Sequence, residues 1–287
     1  MRIAGKSVLI TGGGRGIGAA LALRLAAERP SGIVVSDIDG QAARDVAQLV
    51  EREGVPALGL TTDVSSAEQV TELVRSAEGA IGPLDLVCSN AGVSTAQGLF
   101  AGPADWDRAW QVNVRAHVHL AQATLPGMVR RHSGYFLITA SAVGLLGLPG
   151  DAPYSVTKHA AVGFAEWLAF SYRPRGVRVS ALCPYGVRTG LLMPAIEAGH
   201  IAGDSISQAG PILEPAEVAE SVVTGLADER FLILPHPEVG RMYSRKAADP
   251  DAWIAEQAEA VSRRRENRRQ NRRQSGRGSR LDVPGTK

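Results

Sequence analysis

Cysteine and aromatic residues are scarce in this chain. Only two of its 287 residues are cysteine, and phenylalanine, tryptophan and tyrosine together make up 5%. Cys88 and Cys183 end apolar runs that are typical of strands, so we expect buried free thiols. A small secreted domain held together by disulfides is excluded, and a reducing cytoplasmic setting is favoured.

Long hydrophobic runs are also missing. The N-terminus passes directly into a short apolar strand that is too brief for the core of a signal peptide. The uncharged stretch 133–150 contains glycines and serines that favour a strand and a loop over a membrane helix. We therefore predict a soluble, cytoplasmic protein without a membrane segment.

Charge is distributed unevenly along the chain. The formal net charge is +2, but ten of the 31 basic side chains lie within residues 261–287, against two of the 29 acidic ones. Such a block predicts a C-terminal helix over the first part of 251–287, followed by a solvated, disordered Arg-rich tail. Binding of this tail to nucleic acid or to an acidic partner is an alternative, although no aromatic residues are interleaved with the arginines.

Strand-like and helix-like segments alternate over residues 1–250. Strands are predicted at 7–10, 33–36, 57–62, 84–89, 134–140, 177–183 and 231–234, and helices at 19–29, 41–53, 66–80, 105–131, 152–172 and 215–228. This alternation predicts a single α/β domain with a doubly wound parallel sheet and helices on both faces, as in the Rossmann fold.

A glycine-rich turn separates the first strand from the first helix. Backbone amides and a helix N-terminus are what a pyrophosphate needs, so we predict a dinucleotide site. Its candidate residues are Gly12, Arg15, Gly16, Ile17 and Gly18, with Asp37 and Ile38 at the end of the second strand. Asp37 would bind the ribose hydroxyls and repel a 2′-phosphate, which favours NAD. Arg15 could instead meet that phosphate, which leaves NADP as the alternative.

Tyr154 and Lys158 are four residues apart on a predicted helix and share one face. The ammonium is expected to favour the phenolate and lower the pKa of Tyr154. Ser141, at the carboxyl end of the preceding strand, could donate a hydrogen bond to a carbonyl oxygen there. Each residue alone also fits an ordinary structural role, so only their combination indicates acid/base chemistry. No metal site is predicted.

These motifs together resemble the short-chain dehydrogenase/reductase superfamily, in its compact single-domain branch. The resemblance covers roughly residues 5–240 and follows the family's order of motifs. The matching pieces are the turn from Thr11 to Gly18, Asp63 and Val64, Asn90-Ala91-Gly92, Asn113, Ser141, Tyr154 with Lys158, and the segment from Pro184 to Thr189.

The resemblance implies a role for each motif. Tyr154 would be the general acid/base, Lys158 would hold the nicotinamide ribose, Ser141 would orient the substrate oxygen, and Asn113 would support a water relay. The implied nucleotide contacts are Asp63 and Val64 at the adenine, Asn90, Ala91 and Gly92 along the nucleotide, and Pro184, Gly186, Val187 and Thr189 at the carboxamide side. A homotetramer or homodimer packed through the long helices is also implied.

Two positions depart from the family pattern. Ser89 replaces an asparagine before Asn90, which alters a hydrogen bond within the sheet, and Tyr185 replaces the glycine after Pro184. Tyr185 would either narrow the substrate pocket or turn to solvent. The segment 187–213 fits a substrate lid. Together with the apolar residues 143–148 it suggests a hydrophobic substrate, although packing in the core is an alternative.

The sequence therefore predicts an NAD-dependent oxidoreductase that interconverts a hydrophobic secondary alcohol and its ketone. An NADPH-dependent carbonyl or 3-oxoacyl reductase is the second possibility. The third is a dinucleotide-binding regulatory protein that uses its basic tail to bind nucleic acid or a partner.

Overall fold

Seven parallel strands form one sheet in the computed structural model, which describes residues 1–278 except for the side chains of residues 209, 265 and 267–278. The strand order is β3-β2-β1-β4-β5-β6-β7. The strands are β1 (Ser7–Thr11), β2 (Gly32–Asp37), β3 (Ala57–Thr61), β4 (Leu86–Ser89), β5 (Gly134–Thr139), β6 (Val177–Leu182) and β7 (Leu232–Ile233).

The central strands are apolar on both faces because helices cover both sides of the sheet. All residues of β1, β2 and β4 are buried. Val8 of β1 lies opposite Ile33 on one side and Leu86 on the other. This register places the carboxyl ends of β1, β2 and β4 at the same edge of the sheet.

The helices pack in two layers. One layer contains α1, α2 and α10, whose apolar residues form one core with the strands, and the other contains α3, α5 and α7. The helices are α1 (Gly16–Ala26), α2 (Gly40–Arg52), α3 (Ala67–Ile81), α4 (Pro103–Trp110), α5 (Ala116–Arg130), α6 (Val143–Leu146), α7 (Ala152–Tyr172), α8 (Met193–Glu197), α9 (Ile201–Ala209), α10 (Pro215–Ala227), α11 (Pro237–Ala248) and α12 (Pro250–Gly278).

The predicted doubly wound α/β fold is confirmed, with three corrections to its elements. The first helix begins at Gly16, inside the glycine-rich turn, and not at residue 19. The helix predicted over 105–131 is interrupted by a π-helical stretch, Gln111–Arg115, and the last strand is only two residues long. The predicted lid segment contains two short helices, α8 and α9.

Residues Met1–Gly240 form one compact unit, and the described residues from Arg241 onward belong to a second. In the second unit, Arg245 pairs with Glu256 and lies over the ring of Trp253, 5.6 Å from its centre. Residues 279–287 are outside the described part of the chain, so the predicted disordered tail stays a prediction. No helix within residues 1–278 has both the length and the hydrophobicity needed to cross a bilayer.

Candidate active site

A cleft of about 800 Å³ opens at the carboxyl edge of the sheet. Most residues predicted for the site line it, namely Gly12, Arg15, Gly16, Ile17, Asp37, Ile38, Asp63, Val64, Asn90, Ala91, Gly92, Ser141, Tyr154, Lys158, Pro184, Val187 and Thr189. Gly18, Asn113 and Gly186 lie behind its walls, where they contact the lining residues.

The glycine-rich turn is held against the end of β4. Gly12 has a φ of +61°, and a Cβ there would lie 2.7 Å from the Cα of Ala91. The side-chain amide of Asn90 donates to the carbonyls of Thr11 and Gly12 at 3.1 and 3.0 Å. Only glycine allows this approach, and it leaves the amides at the start of α1 unobstructed for an anionic ligand.

Asp37 binds the same turn from the end of β2. Its carboxylate accepts hydrogen bonds from the backbone N–H groups of Gly14, at 2.9 Å, and Asp39, at 3.0 Å. Asp37 is buried, whereas Arg15 is exposed and forms an ion pair with Asp39 at 3.2 Å. The negative charge at this end of the cleft is therefore fixed, while the nearby cation already has an acidic partner.

Asp63 has a local hydrogen-bonding role at the cleft edge. Its carboxylate accepts from both the backbone N–H and the hydroxyl of Ser65, at 2.9 and 2.7 Å. The side chain of Ser66 caps α3 by accepting from Gln69 N–H. The turn that presents Asp63 and Val64 to the cleft is thus fixed before any ligand binds.

Tyr154, Ser141 and Lys158 meet at the other end of the cleft. The Lys158 ammonium donates to the carbonyl of Thr139 at 2.9 Å and lies 5.7 Å from the centre of the Tyr154 ring. The Ser141 hydroxyl accepts from Val143 N–H at 3.1 Å. A proton donor, a hydroxyl and an ammonium are therefore gathered around one place where a substrate oxygen can bind.

The electrostatics differ from the sequence-based expectation. Burial raises the pKa of Tyr154 to about 12, although a hydrogen bond with Ser141 opposes the rise. Burial also lowers the pKa of Lys158, to about 8. The expected lowering of the Tyr154 pKa by Lys158 is not seen, because removal from water dominates the pKa values of both groups.

Asn113 lies in the π-helical stretch and is fully buried. Its side chain accepts from Val93 N–H at 2.8 Å and donates to the Val93 carbonyl at 2.9 Å and to Thr157 Oγ1 at 3.0 Å. A Cβ on Gly92 would be 3.4 Å from both Asn113 Oδ1 and Lys158 Nζ. Asn113 thus ties the loop after β4 to the helix that carries Tyr154.

The replacement of asparagine by Ser89 is matched by a buried histidine. Ser89 Oγ and His117 Nδ1 are 2.6 Å apart, and both residues are buried. The pair joins the end of β4 to α5. Among residues 1–278, nothing forms a hydrogen bond with His117 Nε2.

The segment after β6 is anchored by His236, which sequence reasoning missed. Its Nδ1 accepts from Tyr185 N–H at 3.2 Å, and its Nε2 lies 3.0 Å from the carbonyl of Gly186 and 3.3 Å from that of Pro211. Tyr185 is half-buried and is among the residues that line the cleft. His236 therefore joins both ends of the predicted lid.

The substrate side of the cleft is mostly apolar. Val143 and Leu148 line it, whereas Leu145 and Leu146 are buried outside the lining. The lid adds further apolar lining side chains, from Leu191, Leu192, Pro194, Ala195, Ala202 and Ile206. In the segment after Ser141, Val143 and Leu148 thus fit the interpretation as a hydrophobic substrate pocket. Leu145 and Leu146 fit the interpretation as core packing.

Sequence reasoning also missed Asp151, the N-cap of α7. Its side chain accepts from Tyr154 N–H at 3.1 Å and is buried. An aspartate followed by Ala152-Pro153 at the start of a predicted helix is a recognisable N-cap pattern that could have revealed it.

The doubly wound sheet, its glycine-rich turn and the Tyr154–Lys158 pair define a Rossmann-type dinucleotide-binding enzyme. The sequence profile of the family described as short chain dehydrogenase matches residues 6–198. The chain belongs to this family, whose members act as oxidoreductases on CH–OH groups.

Characterised relatives cover most of the chain. It is 34% identical to 2-(S)-hydroxypropyl-CoM dehydrogenase 3 of Xanthobacter autotrophicus, over 81% of this chain and 93% of the relative. It is 30% identical to human epidermal retinol dehydrogenase 2, over 81% and 75% of the two chains. A short-chain dehydrogenase/reductase from Burkholderia phymatum, solved in complex with NAD, is 29% identical with a TM-score of 0.80, over 88% and 96% of the chains.

Proposed function

We propose that this protein is an NAD-dependent oxidoreductase that interconverts a hydrophobic secondary alcohol and its ketone. The observation that carries the proposal is the convergence of Tyr154, Ser141 and Lys158 on the cleft that also contains the glycine-rich turn and Asp37. The names of the relatives, which include a hydroxypropyl-CoM and a retinol dehydrogenase, agree with an alcohol substrate.

The residues of the cleft fit a nicotinamide dinucleotide. The turn brings the backbone of Gly12, Gly16 and Ile17 to the lining of the cleft, and a Cβ on Gly16 would approach Thr189 Cγ2 to 3.2 Å. The amides and the N-terminus of α1 would hold the pyrophosphate, and Asp37 the adenosine ribose. When bound, the cofactor supplies or accepts the hydride.

The chain's own residues would handle the proton. In oxidation, Tyr154 takes the proton of the substrate hydroxyl, and in reduction it returns one to the carbonyl oxygen. Ser141 donates a hydrogen bond to the same oxygen, where negative charge develops. Lys158 would bind the nicotinamide ribose and supply positive charge beside the phenol. Val143, Leu148 and the lid would exclude water from the reacting centre.

Replacing Tyr154 by phenylalanine tests this role directly. Tyr154→Phe should lower kcat at least about 100-fold, because general acid/base catalysis is typically that large. Turnover is measured as nicotinamide absorbance over a panel of hydrophobic secondary alcohols and ketones. Tyr172→Phe makes the same chemical change at the end of the same helix, outside the cleft lining, and should leave kcat unchanged. Full activity of Tyr154→Phe would contradict the proposed mechanism.

The preference for NAD is carried by Asp37. Its buried carboxylate would repel a 2′-phosphate, so kcat/KM should be higher with NAD than with NADP. Asp37→Asn should lower the ratio of kcat/KM with NAD to kcat/KM with NADP by about tenfold or more, because it removes the negative charge. Asp45→Asn, an exposed change on α2 outside the lining, should keep the ratio. Wild-type activity with NADP(H) alone would overturn the preference and favour the reductase alternative, in which Arg15 leaves Asp39 to bind the phosphate.

A regulatory role has less support than an enzymatic one. The candidate catalytic residues are all at or directly behind the cleft, and a sensor needs only the nucleotide part of it. Deletion of residues 263–287 distinguishes the two, since an enzyme keeps its turnover and a protein that binds through its tail loses its salt-sensitive binding.

We also propose that the protein is a homodimer or homotetramer packed through its long helices. Val156, Trp167 and Phe170 are exposed by 48%, 51% and 67% along one face of α7, and Trp110 is exposed by 43% on α4. Surfaces of this kind are typical of subunit contacts. Light scattering should show an oligomer that the variant Phe170→Glu dissociates. The control variant Leu49→Glu, at an exposed position of α2, should leave the oligomer intact.

A further inference from the structure

A buried carboxylate joins the two walls of the substrate cleft. Asp151 is 1% exposed and accepts five hydrogen bonds. Four come from the loop after β4: Ser94 Oγ at 2.7 Å, Thr95 N–H at 3.1 Å, Thr95 Oγ1 at 2.8 Å and Ala96 N–H at 2.8 Å. The fifth comes from Tyr154 N–H at 3.1 Å.

The charge of Asp151 is stabilised without a basic partner. Within the described part of the chain no lysine, arginine or histidine forms an ion pair with it. A buried carboxylate is costly unless it is fully hydrogen-bonded, and four donors of the loop together with one at the N-terminus of α7 supply that stabilisation. So complete a set of donors indicates that the loop and the helix are held in one fixed arrangement.

The loop itself needs this support. Ala96 has a φ of +51°, a conformation that costs a residue other than glycine about 1 kcal/mol or more. The hydrogen bond from Ala96 N–H to Asp151 compensates for that cost. The neighbouring Ala152 N–H donates to the carbonyl of Gln97 at 2.9 Å, which adds a backbone contact between the same two segments.

We propose that Asp151 is a positioning residue that locks residues 94–96 to the first turn of the helix carrying Tyr154. We call this set of hydrogen bonds between Asp151 and residues 94–96 the lock. The inference rests on the proposed function, because the lock matters for turnover only if the Tyr154 phenol is the acid/base. Both segments that the lock joins contribute residues to the cleft lining, namely Ser94, Thr95 and Ala96 from the loop and Tyr154 from the helix. Small displacements of a catalytic group lower turnover strongly, so the lock would contribute to kcat.

The lock would also define which substrates fit. The hydroxyls of Ser94 and Thr95 both donate to Asp151, so neither is free to donate to a substrate. The wall that they form therefore offers no hydroxyl donor to a substrate, although its sequence is polar. Loss of the lock would release these hydroxyls and raise KM for hydrophobic alcohols.

The lock has an electrostatic signature as well. Burial is the main cause that raises the pKa of Tyr154, the hydrogen bond with Ser141 opposes the rise, and the nearby Asp151 carboxylate adds to it. Lys158 is the cation nearby. Removing the carboxylate should therefore shift the pH dependence of alcohol oxidation to lower pH, a change that a purely structural contact would not produce.

Asp151→Ser separates the lock from ordinary helix capping. Serine caps helices about as well as aspartate, but its short hydroxyl cannot collect the four donors of the loop. We expect kcat to fall at least about tenfold and the pH profile of oxidation to shift downward. Asp105→Ser is the matched control, since Asp105 contacts the same loop only through Gln97 Nε2, at 2.9 Å. Kinetics of Asp151→Ser within about twofold of wild type would overturn the proposal.

A second measurement is independent of the chemistry. Hydrogen exchange at the amides of Thr95 and Ala96 should be slow in the wild type and at least about tenfold faster in Asp151→Ser. The double variant Ser94→Ala/Thr95→Val keeps the hydrogen bonds from the backbone N–H groups of residues 95 and 96 to Asp151. It should therefore retain slow exchange and lose only part of kcat. Unchanged exchange in Asp151→Ser would refute the lock whether or not Tyr154 is the acid/base, while an active Tyr154→Phe would refute only the proposed mechanism.

Discussion

Gly18 shows how closely single residues are constrained around the cleft. Although it does not line the cleft, a Cβ there would lie 2.1 Å from the Gly12 carbonyl oxygen and 2.7 Å from Asn90 Nδ2. The first turn of α1 therefore packs directly on the backbone of the glycine-rich turn. The shape of the nucleotide site depends on a residue that the nucleotide need not touch.

Gly18→Ala should accordingly weaken dinucleotide binding at least about tenfold and lower stability, since overpacking costs about 1–3 kcal/mol. Binding is followed by NADH fluorescence and stability by thermal unfolding. Gly79→Ala is the control, because a Cβ on this residue of α3 meets nothing within 4 Å. It should leave binding unchanged and raise stability by up to about 1 kcal/mol. Normal NADH affinity of Gly18→Ala would show that the turn can adjust.

At the residue scale, sequence patterns predicted the groups that contact the cleft better than those that hold them in place. Tyr154, Lys158 and Asp37 belong to local motifs whose spacing already suggests their chemistry. Asp151 and His236 act through partners 55 and 50 residues away in the chain. A local N-cap pattern could have revealed Asp151 as a cap, but which loop it binds depends on tertiary contacts, and no local pattern points to His236.

The long helix before β5 contains the main surprise at the scale of elements. Its apolar spacing predicts one continuous helix, yet the five residues Gln111–Arg115 are π-helical. Such a turn shifts the register of the side chains and commonly occurs at functional sites. Here it accompanies the inward side chain of Asn113, which satisfies both backbone groups of Val93.

Asn113→Asp should destabilise the protein by about 2–4 kcal/mol. Aspartate keeps the acceptor for Val93 N–H but loses both donated hydrogen bonds, and it buries a charge against a carbonyl oxygen. Thr157→Val removes only one of the two acceptors to which Asn113 donates, and it should lower the free energy of unfolding by about 1 kcal/mol. Urea unfolding measures both values. Equal stability of Asn113→Asp and the wild type would show that the two donated bonds contribute little.

The lid illustrates why short elements are hard to predict. The sequence of residues 187–213 predicts only a lid, but α8 and α9 pack together where a Cβ on Gly203 would lie 2.7 Å from the backbone of Ala195. The helices are five and nine residues long, too short to be stable alone. They depend on packing against each other, which the sequence of either one does not reveal.

For the whole molecule, the buried Ser89–His117 pair links stability to pH. Burial lowers the pKa of His117 to about 3 from its usual 6.5, and the Lys158 charge adds to the effect. Below pH 6.5 the unfolded chain takes up a proton at this residue while the folded protein does not. The free energy of unfolding therefore falls as the pH drops from 6.5 toward 3, by about 2 kcal/mol at pH 5.

His117→Asn should remove this part of the acid sensitivity. The quantity to compare is the difference in the free energy of unfolding between pH 7 and pH 5, measured with urea, since the variant can also change stability at neutral pH. His159→Asn, an exposed change on α7, should keep the wild-type difference. A difference for His117→Asn as large as that of the wild type would mean that other groups cause the acid sensitivity.

The position of β1 has a consequence for folding during synthesis. It is the first strand made, yet it lies in the middle of the sheet between β2 and β4. Until Leu86–Ser89 has left the ribosome, one edge of an entirely buried strand has no neighbour. We expect nascent chains arrested before residue 89 to be more sensitive to protease at β1 than longer ones. An open apolar edge is prone to pairing with other chains. The protein therefore most needs a chaperone while its first 90 or so residues are being synthesised.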